Sequence, residues 1–361
     1  MELQRKNIDI TIAKKALEFS TSNFLEYNKV VDAEFSVLVD TNMKKLVAAY
    51  PILKKTFDNL PKEQQNELMF APEMLRLLFY PDGILGDEKL EHFLGMVIEA
   101  QNAKITAKFD HKKYGRSIWT ANGSFMISFD EKTNTFSTFH QSCLSNTEIT
   151  QDYFSHFNLM NSADENHFSE EVVPSLYSFE EADVLELKID ETYDKLETSF
   201  QDFVRLFTNV LLLKKTNIDS FKSVTDNTHI NRVIICNGHS VELEILAEAF
   251  MHEATHGLLT IIDIFNQWQP GNEETTILGR TIRSPWTGNL LTIKNLVQAV
   301  YVWYGLYNFW GTKPANFDLK YAEDRVEFIA EGFKKLDMEP YRNILSTLTF
   351  SEIGSIKNNF Q

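Results

Sequence analysis

The stretch Leu246–Phe265, LAEAFMHEATHGLLTIIDIF, decides the fold because it predicts one long interior helix. Its residues are apolar nearly all round the helix, and a helix of that composition is buried in a protein. Within it lies His252-Glu-Ala-Thr-His256, an H-E-x-x-H motif. Residues four apart share one face of a helix, so the two imidazoles can bind one divalent metal ion without distorting the backbone. Two surface histidines on an ordinary helix are the alternative, which the apolar surroundings disfavour.

Glu253 lies next to both histidines and has two candidate roles. In a hydrolase it would activate a metal-bound water, and in another chemistry it would orient a ligand or a water. The site also needs a third ligand, and the metzincin extension is absent because no histidine follows His256 at the required spacing. The sequence offers Glu273 or Glu274 in the loop after the motif helix and Gln298 in the apolar segment beyond it.

Gln298 is a polar residue in the apolar core of a second predicted helix, over residues 289–310. A buried glutamine has to be hydrogen-bonded or bound to a metal. We predict that Gln298 completes the metal site through its side-chain oxygen, and a hydrogen bond to a neighbouring backbone group is the alternative. His239, in a turn before the motif helix, is interpreted as a capping or surface residue.

Three consecutive regions are expected along the chain and are expected to form a compact unit. Residues 1–103 have a helical pattern, residues 104–185 a mixed strand and loop pattern, and residues 186–361 form a helical, metal-binding, catalytic region. The predicted fold class is α+β, predominantly helical, with a small antiparallel sheet in the middle of the chain and a buried HExxH helix.

Alternating polar and apolar residues predict the strands of the middle region. The second of these strands is interrupted by an Asn122-Gly123 turn. A helical pattern then runs from residue 186 to about residue 215, with Leu211 on its apolar face. The predicted strands are 104–109, 117–129, 135–139 and, leading into the motif helix, 231–236.

The composition limits the partners and the location of the protein. The 361 residues carry 35 Lys and Arg against 51 Asp and Glu, a formal net charge of -16, which disfavours nucleic acid and anionic membrane surfaces as partners. No apolar run approaches the ~20 residues that a membrane span needs, and the first residues do not resemble a signal peptide. The two cysteines, Cys143 and Cys236, form no disulfide framework, so a cytoplasmic location is expected.

Three segments together carry a family resemblance: Leu246–Leu259, Arg283-Ser-Pro-Trp286 and Val297–Trp303. They resemble the HExxH-motif peptide-modification proteins found with ribosomally made peptides. The resemblance covers roughly residues 230–310, and the N-terminal half matches only in its helical character. The H-E-x-x-H motif alone is shared by many zinc proteases, whereas its combination with Ser-Pro-Trp and the following apolar helix is much more specific. The family pattern has a histidine where this chain has Gln298.

The resemblance implies an iron(II)- and 2-oxoglutarate-dependent oxygenase that β-hydroxylates a side chain of a ribosomally synthesised precursor peptide. The carboxylate of 2-oxoglutarate remote from its oxo group would be bound by a bidentate arginine. Arg283 is the first candidate, beside Ser284, and Arg280 is the second. A structural arginine stacked on Trp286 is the alternative for Arg283, and Trp286 itself is predicted to bind substrate.

The sequence is also compatible with two other classes of function. One is a zinc metallopeptidase in which Glu253 is the general base. The other is a leader-peptide-binding accessory protein with a vestigial site, against which the intact His252 and His256 argue.

Overall fold

The computed structural model describes residues 8–80, 86–159, 174–217, 220–225, 228–270 and 282–361. The chain divides into two compact units, each drawn from separated stretches of sequence, whereas the sequence pattern predicts three consecutive regions. Unit 1 comprises Met1–Phe35, Thr192–Phe207 and Glu242–Gln361, and unit 2 comprises Ser36–Glu191 and Thr208–Val241.

Helices dominate the described residues, and the strands are short, so the predicted fold class is confirmed. The helices are α1 Ile10–Ala16, α2 Phe24–Ala48, α3 Pro51–Asn59, α4 Lys62–Met69, α5 Pro72–Phe79, α6 Asp87–Thr106, α7 His111–Tyr114, α8 His156–Leu159, α9 Phe179–Asp194, α10 Thr198–Phe207, α11 Leu243–Phe265, α12 Ile293–Gly311, α13 Leu319–Lys335 and α14 Thr347–Lys357. The strands are β1 Ser117–Trp119, β2 Phe125–Asp130, β3 Thr135–His140, β4 Thr150–Asp152, β5 Pro174–Ser175, β6 Val210–Thr216, β7 Lys222–Thr225, β8 Arg232–Cys236, β9 Ile282–Arg283 and β10 Leu290–Leu291. No helix in the described ranges has both the length and the apolar character to cross a membrane.

Helix α11, which carries the motif, is the centre of unit 1. It packs against α1, α10 and α12, and α12 packs in turn against α13 and α14. Because three helices surround α11, its apolar residues are buried on several sides, as the sequence predicts for the motif helix. A Cβ atom at Gly305 of α12 would lie 3.2 Å from Cδ2 of Leu17, a tight contact, and 3.4 Å from the hydroxyl of Thr255 on α11, an ordinary one.

The predicted antiparallel sheet in the middle of the chain is present in unit 2 as β1-β2-β3. The predicted turn between its first two strands is also present, with Gly123 at a φ of 74°. The predicted strand over 104–109 is wrong, because α6 continues to Thr106. Ala100 and Ala103, three residues apart, pack into the core beneath the sheet, so helical spacing prevails over a short alternation of polar and apolar residues.

A second sheet of unit 2 has the order β4-β6-β8-β7, with β5 also paired to β6. The first three strands are parallel, and β8 confirms the strand predicted over 231–236. The helix predicted from 186 to about 215 is interrupted: α9 ends at Asp194, α10 spans Thr198–Phe207, and Leu211 lies in β6. A central strand buried on both faces has a continuous apolar run, which periodicity alone does not separate from a buried helix.

A buried ion-pair network joins α5 to β8 in unit 2. The carboxylate of Glu73 binds the guanidinium of Arg232 and lies 3.2 Å from Nε2 of His229. Burial by itself would raise the pKa of Glu73, but the charge of Arg232, with smaller contributions from His229, lowers that pKa to about 2. The ionised carboxylate therefore stabilises the folded state.

Glu73→Gln should lower the free energy of unfolding at neutral pH by about 3 kcal/mol, because Arg232 loses its buried counterion. The pKa of Glu73 is lower in the folded than in the unfolded protein. Its contribution is therefore complete above pH 4.5, the ordinary value, and is lost as the pH falls toward about 2. Urea unfolding at neutral and acidic pH measures this. Glu339→Gln, which breaks an exposed pair with Arg342, is the control. An effect of Glu73→Gln that does not shrink in acid would contradict the assignment.

Candidate metal centre

The HExxH residues converge on one face of α11. One ligand atom each from His252, Glu253 and His256 can be chosen so that all three lie within 4.8 Å of one another. Nε2 of His252 is 4.0 Å from Oε1 of Glu253, and the two imidazole centroids are 5.1 Å apart. Two imidazoles and one carboxylate form the donor set that non-haem iron oxygenases use, and the same types of donor bind zinc.

The protonation of the histidines suits metal binding. Burial lowers the pKa of His252 and of His256 to about 4, and for His256 the neighbouring His252 lowers it further while Glu253 opposes the shift. Both imidazoles are therefore neutral at pH 7 and can offer a nitrogen lone pair. The side chain of His252 is 31% exposed and that of Glu253 is 1% exposed, so the site is open to ligands on the side of His252.

Gln298 lies buried on α12, the helix that packs along α11. Its Nε2 donates a hydrogen bond to Oε1 of Gln269 over 3.1 Å. Its own Oε1 accepts no hydrogen bond from the residues that the structure describes. The hydrogen-bond partner of Gln298 is thus a side chain, whereas the sequence suggested a backbone group as the alternative to metal binding. The role of Gln298 as third ligand stays a prediction.

Arg283 and Ser284 belong to the β9–β10 hairpin. Arg283 is exposed, and its Nη1 donates to the carbonyl oxygen of Gly288 over 3.0 Å. Ser284 is buried, and its Oγ accepts a hydrogen bond from the backbone N–H of Thr287. Both side chains therefore have local contacts that hold the turn of the hairpin. The cosubstrate roles expected of them stay predictions.

Three further candidates from the sequence lie outside the described residues. They are Arg280, the second candidate for the cosubstrate carboxylate, and Glu273 and Glu274, the carboxylates weighed as third ligand.

Trp286 lies in the interior of unit 1. Its indole Nε1 donates to the carbonyl oxygen of Ile329 over 3.0 Å, and its ring stacks on Trp303 at 5.8 Å. It is 6% exposed and offers almost no surface to a peptide. These contacts give Trp286 a packing role that joins the hairpin to α12 and α13, and the substrate contact expected of it stays a prediction.

Sequence reasoning missed an ion pair beside the site. Glu248, one helical turn before His252, binds both Nε and Nη2 of Arg325 on α13 and accepts a hydrogen bond from the indole of Trp310. The charge of Glu248 raises the pKa of His252 and that of Arg325 lowers it, so both act on the metal centre. The four-residue spacing of Glu248, His252 and His256 places Glu248 on the same helix face, so its proximity to the site could have been predicted. No local sequence pattern predicts that Arg325 lies there.

No protein-family model matches this chain, and no curated protein matches it either.

Proposed function

We propose that the protein is an iron(II)- and 2-oxoglutarate-dependent oxygenase that β-hydroxylates a side chain of a ribosomally synthesised peptide. The observation that carries the proposal is the convergence of His252, Glu253 and His256 on one face of α11, with both imidazoles neutral. The resemblance of roughly residues 230–310 to HExxH-motif peptide-modification proteins supports the reaction class. The two cysteines, which form no disulfide, support a cytoplasmic location.

The residues of the site have distinct tasks in this proposal. His252 and His256 would hold the metal, and Glu253, or Gln298 from the neighbouring helix, would supply an oxygen ligand. Bound there, iron(II) with 2-oxoglutarate supplies the activation of molecular oxygen. The surrounding apolar residues of α11 keep bulk water away from the buried carboxylate, and the exposed side of His252 leaves room for the peptide.

A zinc metallopeptidase is the second candidate, favoured by one observation. Oε1 of Glu253 lies 4.0 Å from Nε2 of His252, a position from which a carboxylate could take a proton from a metal-bound water. This candidate requires the same two histidines, so loss of metal does not separate the two functions. The role of Glu253 does.

Glu253→Gln separates the two reactions at saturating metal. In the oxygenase with Gln298 as the oxygen ligand, no proton transfer to Glu253 is needed to create a nucleophile, so the variant should keep at least about a tenth of the wild-type hydroxylation. In a peptidase the loss of the general base should reduce turnover by roughly a hundredfold or more. Mass spectrometry of a candidate precursor peptide distinguishes a gain of one oxygen atom from cleavage. Cleavage by wild type without oxygen or 2-oxoglutarate would refute the oxygenase.

A further inference from the structure

The guanidinium of Arg325 contacts three side chains. Its Nε donates to Oε2 of Glu248 over 2.8 Å, and its Nη2 donates to Oε1 of the same carboxylate. The guanidinium carbon lies 5.4 Å from the centroid of Trp303 and 4.8 Å from that of Phe328. An arginine packed against two rings and paired in bidentate fashion loses little further conformational entropy when it binds a ligand.

The acid that orients Arg325 is itself fixed. Glu248 is part of α11, and its Oε2 accepts a hydrogen bond of 2.9 Å from the indole Nε1 of Trp310. Glu248 and Arg325 therefore form a pair whose position is set by the same helix that carries His252. The charges of Glu248 and Arg325 cancel each other. Arg325 would therefore bind a ligand mainly through hydrogen bonds from its remaining, well-oriented N–H groups.

One edge of the guanidinium remains available. Nη1 and the second N–H of Nη2 donate to no residue in the described parts of the chain. Two parallel N–H groups at this edge match the two oxygens of a carboxylate. Trp303, which carries the guanidinium on one side, also packs edge-on to the imidazole of His252, with centroids 6.4 Å apart. Arg325 therefore contacts Trp303, which in turn contacts the metal-ligand candidate His252. The side chain of Arg325 is 21% exposed.

We propose that Arg325 is the carboxylate-binding residue of the site and holds the carboxylate of 2-oxoglutarate remote from its oxo group. This inference rests on the proposed function. It moves that role from Arg283, whose guanidinium is exposed and bonded to the carbonyl of its own hairpin turn. Phe328, 39% exposed beside the guanidinium, would cover the methylene groups of the same ligand.

The test compares two 2-oxo acids on the iron(II)-loaded protein without oxygen. Pyruvate has the same chelating end as 2-oxoglutarate but lacks the remote carboxylate. Wild type should bind 2-oxoglutarate roughly ten- to a hundredfold more tightly than pyruvate, as expected for a charged, bidentate hydrogen-bonded pair. Arg325→Lys keeps the charge but loses the bidentate edge, so most of this preference should disappear while pyruvate affinity and iron content stay unchanged.

Arg342→Lys is the matched control, because Arg342 also pairs with a carboxylate and lies over an aromatic ring, at the surface. It should keep the full preference. If Arg325→Lys does not fold, Arg325→Gln serves instead; it removes both the charge and the paired N–H edge, so the preference should disappear as well. An unchanged preference in either variant, or its loss in Arg283→Lys alone, overturns the assignment.

The wild-type result separates this inference from the proposed function. If wild type chelates both acids with equal affinity, Arg325 binds no remote carboxylate and the inference fails while the oxygenase proposal stands. If neither acid binds the iron-loaded protein, the oxygenase proposal fails and the inference fails with it.

Discussion

Replacing either His252 or His256 by alanine should weaken iron binding by roughly a hundredfold or more, because a change even outside the direct ligands costs ten- to a hundredfold. The fold should survive, since both side chains lie on a helix whose apolar residues carry the packing. Metal content after equilibrium dialysis and the far-UV circular dichroism spectrum measure the two effects. His92→Ala, at an exposed histidine, is the control. Stoichiometric iron in either motif variant would show that the histidines of the motif do not hold the metal.

Gly332→Ala should strongly destabilise unit 1. A Cβ atom at Gly332 would lie 2.0 Å from Cδ1 and 2.1 Å from Nε1 of Trp286, far inside van der Waals contact. The indole would have to move, which would break its hydrogen bond to Ile329 and its stacking on Trp303. We expect a loss of about 3 kcal/mol in the free energy of unfolding.

The control for this prediction is Gly354→Ala on α14, where a Cβ atom would meet no atom within 4 Å. Alanine is a better helix former than glycine, so this variant should be neutral or more stable by up to about 1 kcal/mol. Urea unfolding of both variants measures the difference. Equal stability of the two variants would show that Trp286 is not packed as described.

The helices and the sheet that the sequence predicted correctly are those with a strong local signal. The motif helix is apolar over its whole length, and the β1–β2 hairpin has alternation on both sides of an Asn-Gly turn. The errors arose where tertiary burial hides periodicity. β6 is apolar because it is the middle one of three parallel strands in a mixed sheet, and the end of α6 alternates only over a few residues.

The same distinction applies to the site. His252 and His256 come together because they lie four residues apart on one helix, so their spacing alone predicts that pair, and Glu253 lies next to it in sequence. Arg325 lies on another helix and reaches the site only through the packing of α13 on α12. Arg283, which proximity in sequence favoured, has its Nη1 bonded to the carbonyl of Gly288 in its own hairpin. A candidate residue on a distant helix is found only once the fold is known.

The most direct test of the central claim is an anaerobic titration of the wild-type protein with iron(II) and then 2-oxoglutarate, followed by visible absorption. The proposal predicts a metal-to-ligand charge-transfer band that saturates with stoichiometric iron and is absent in His252→Ala. Absence of the band in iron-loaded wild type, together with zinc-dependent cleavage of a peptide bond, would contradict the oxygenase and establish the peptidase.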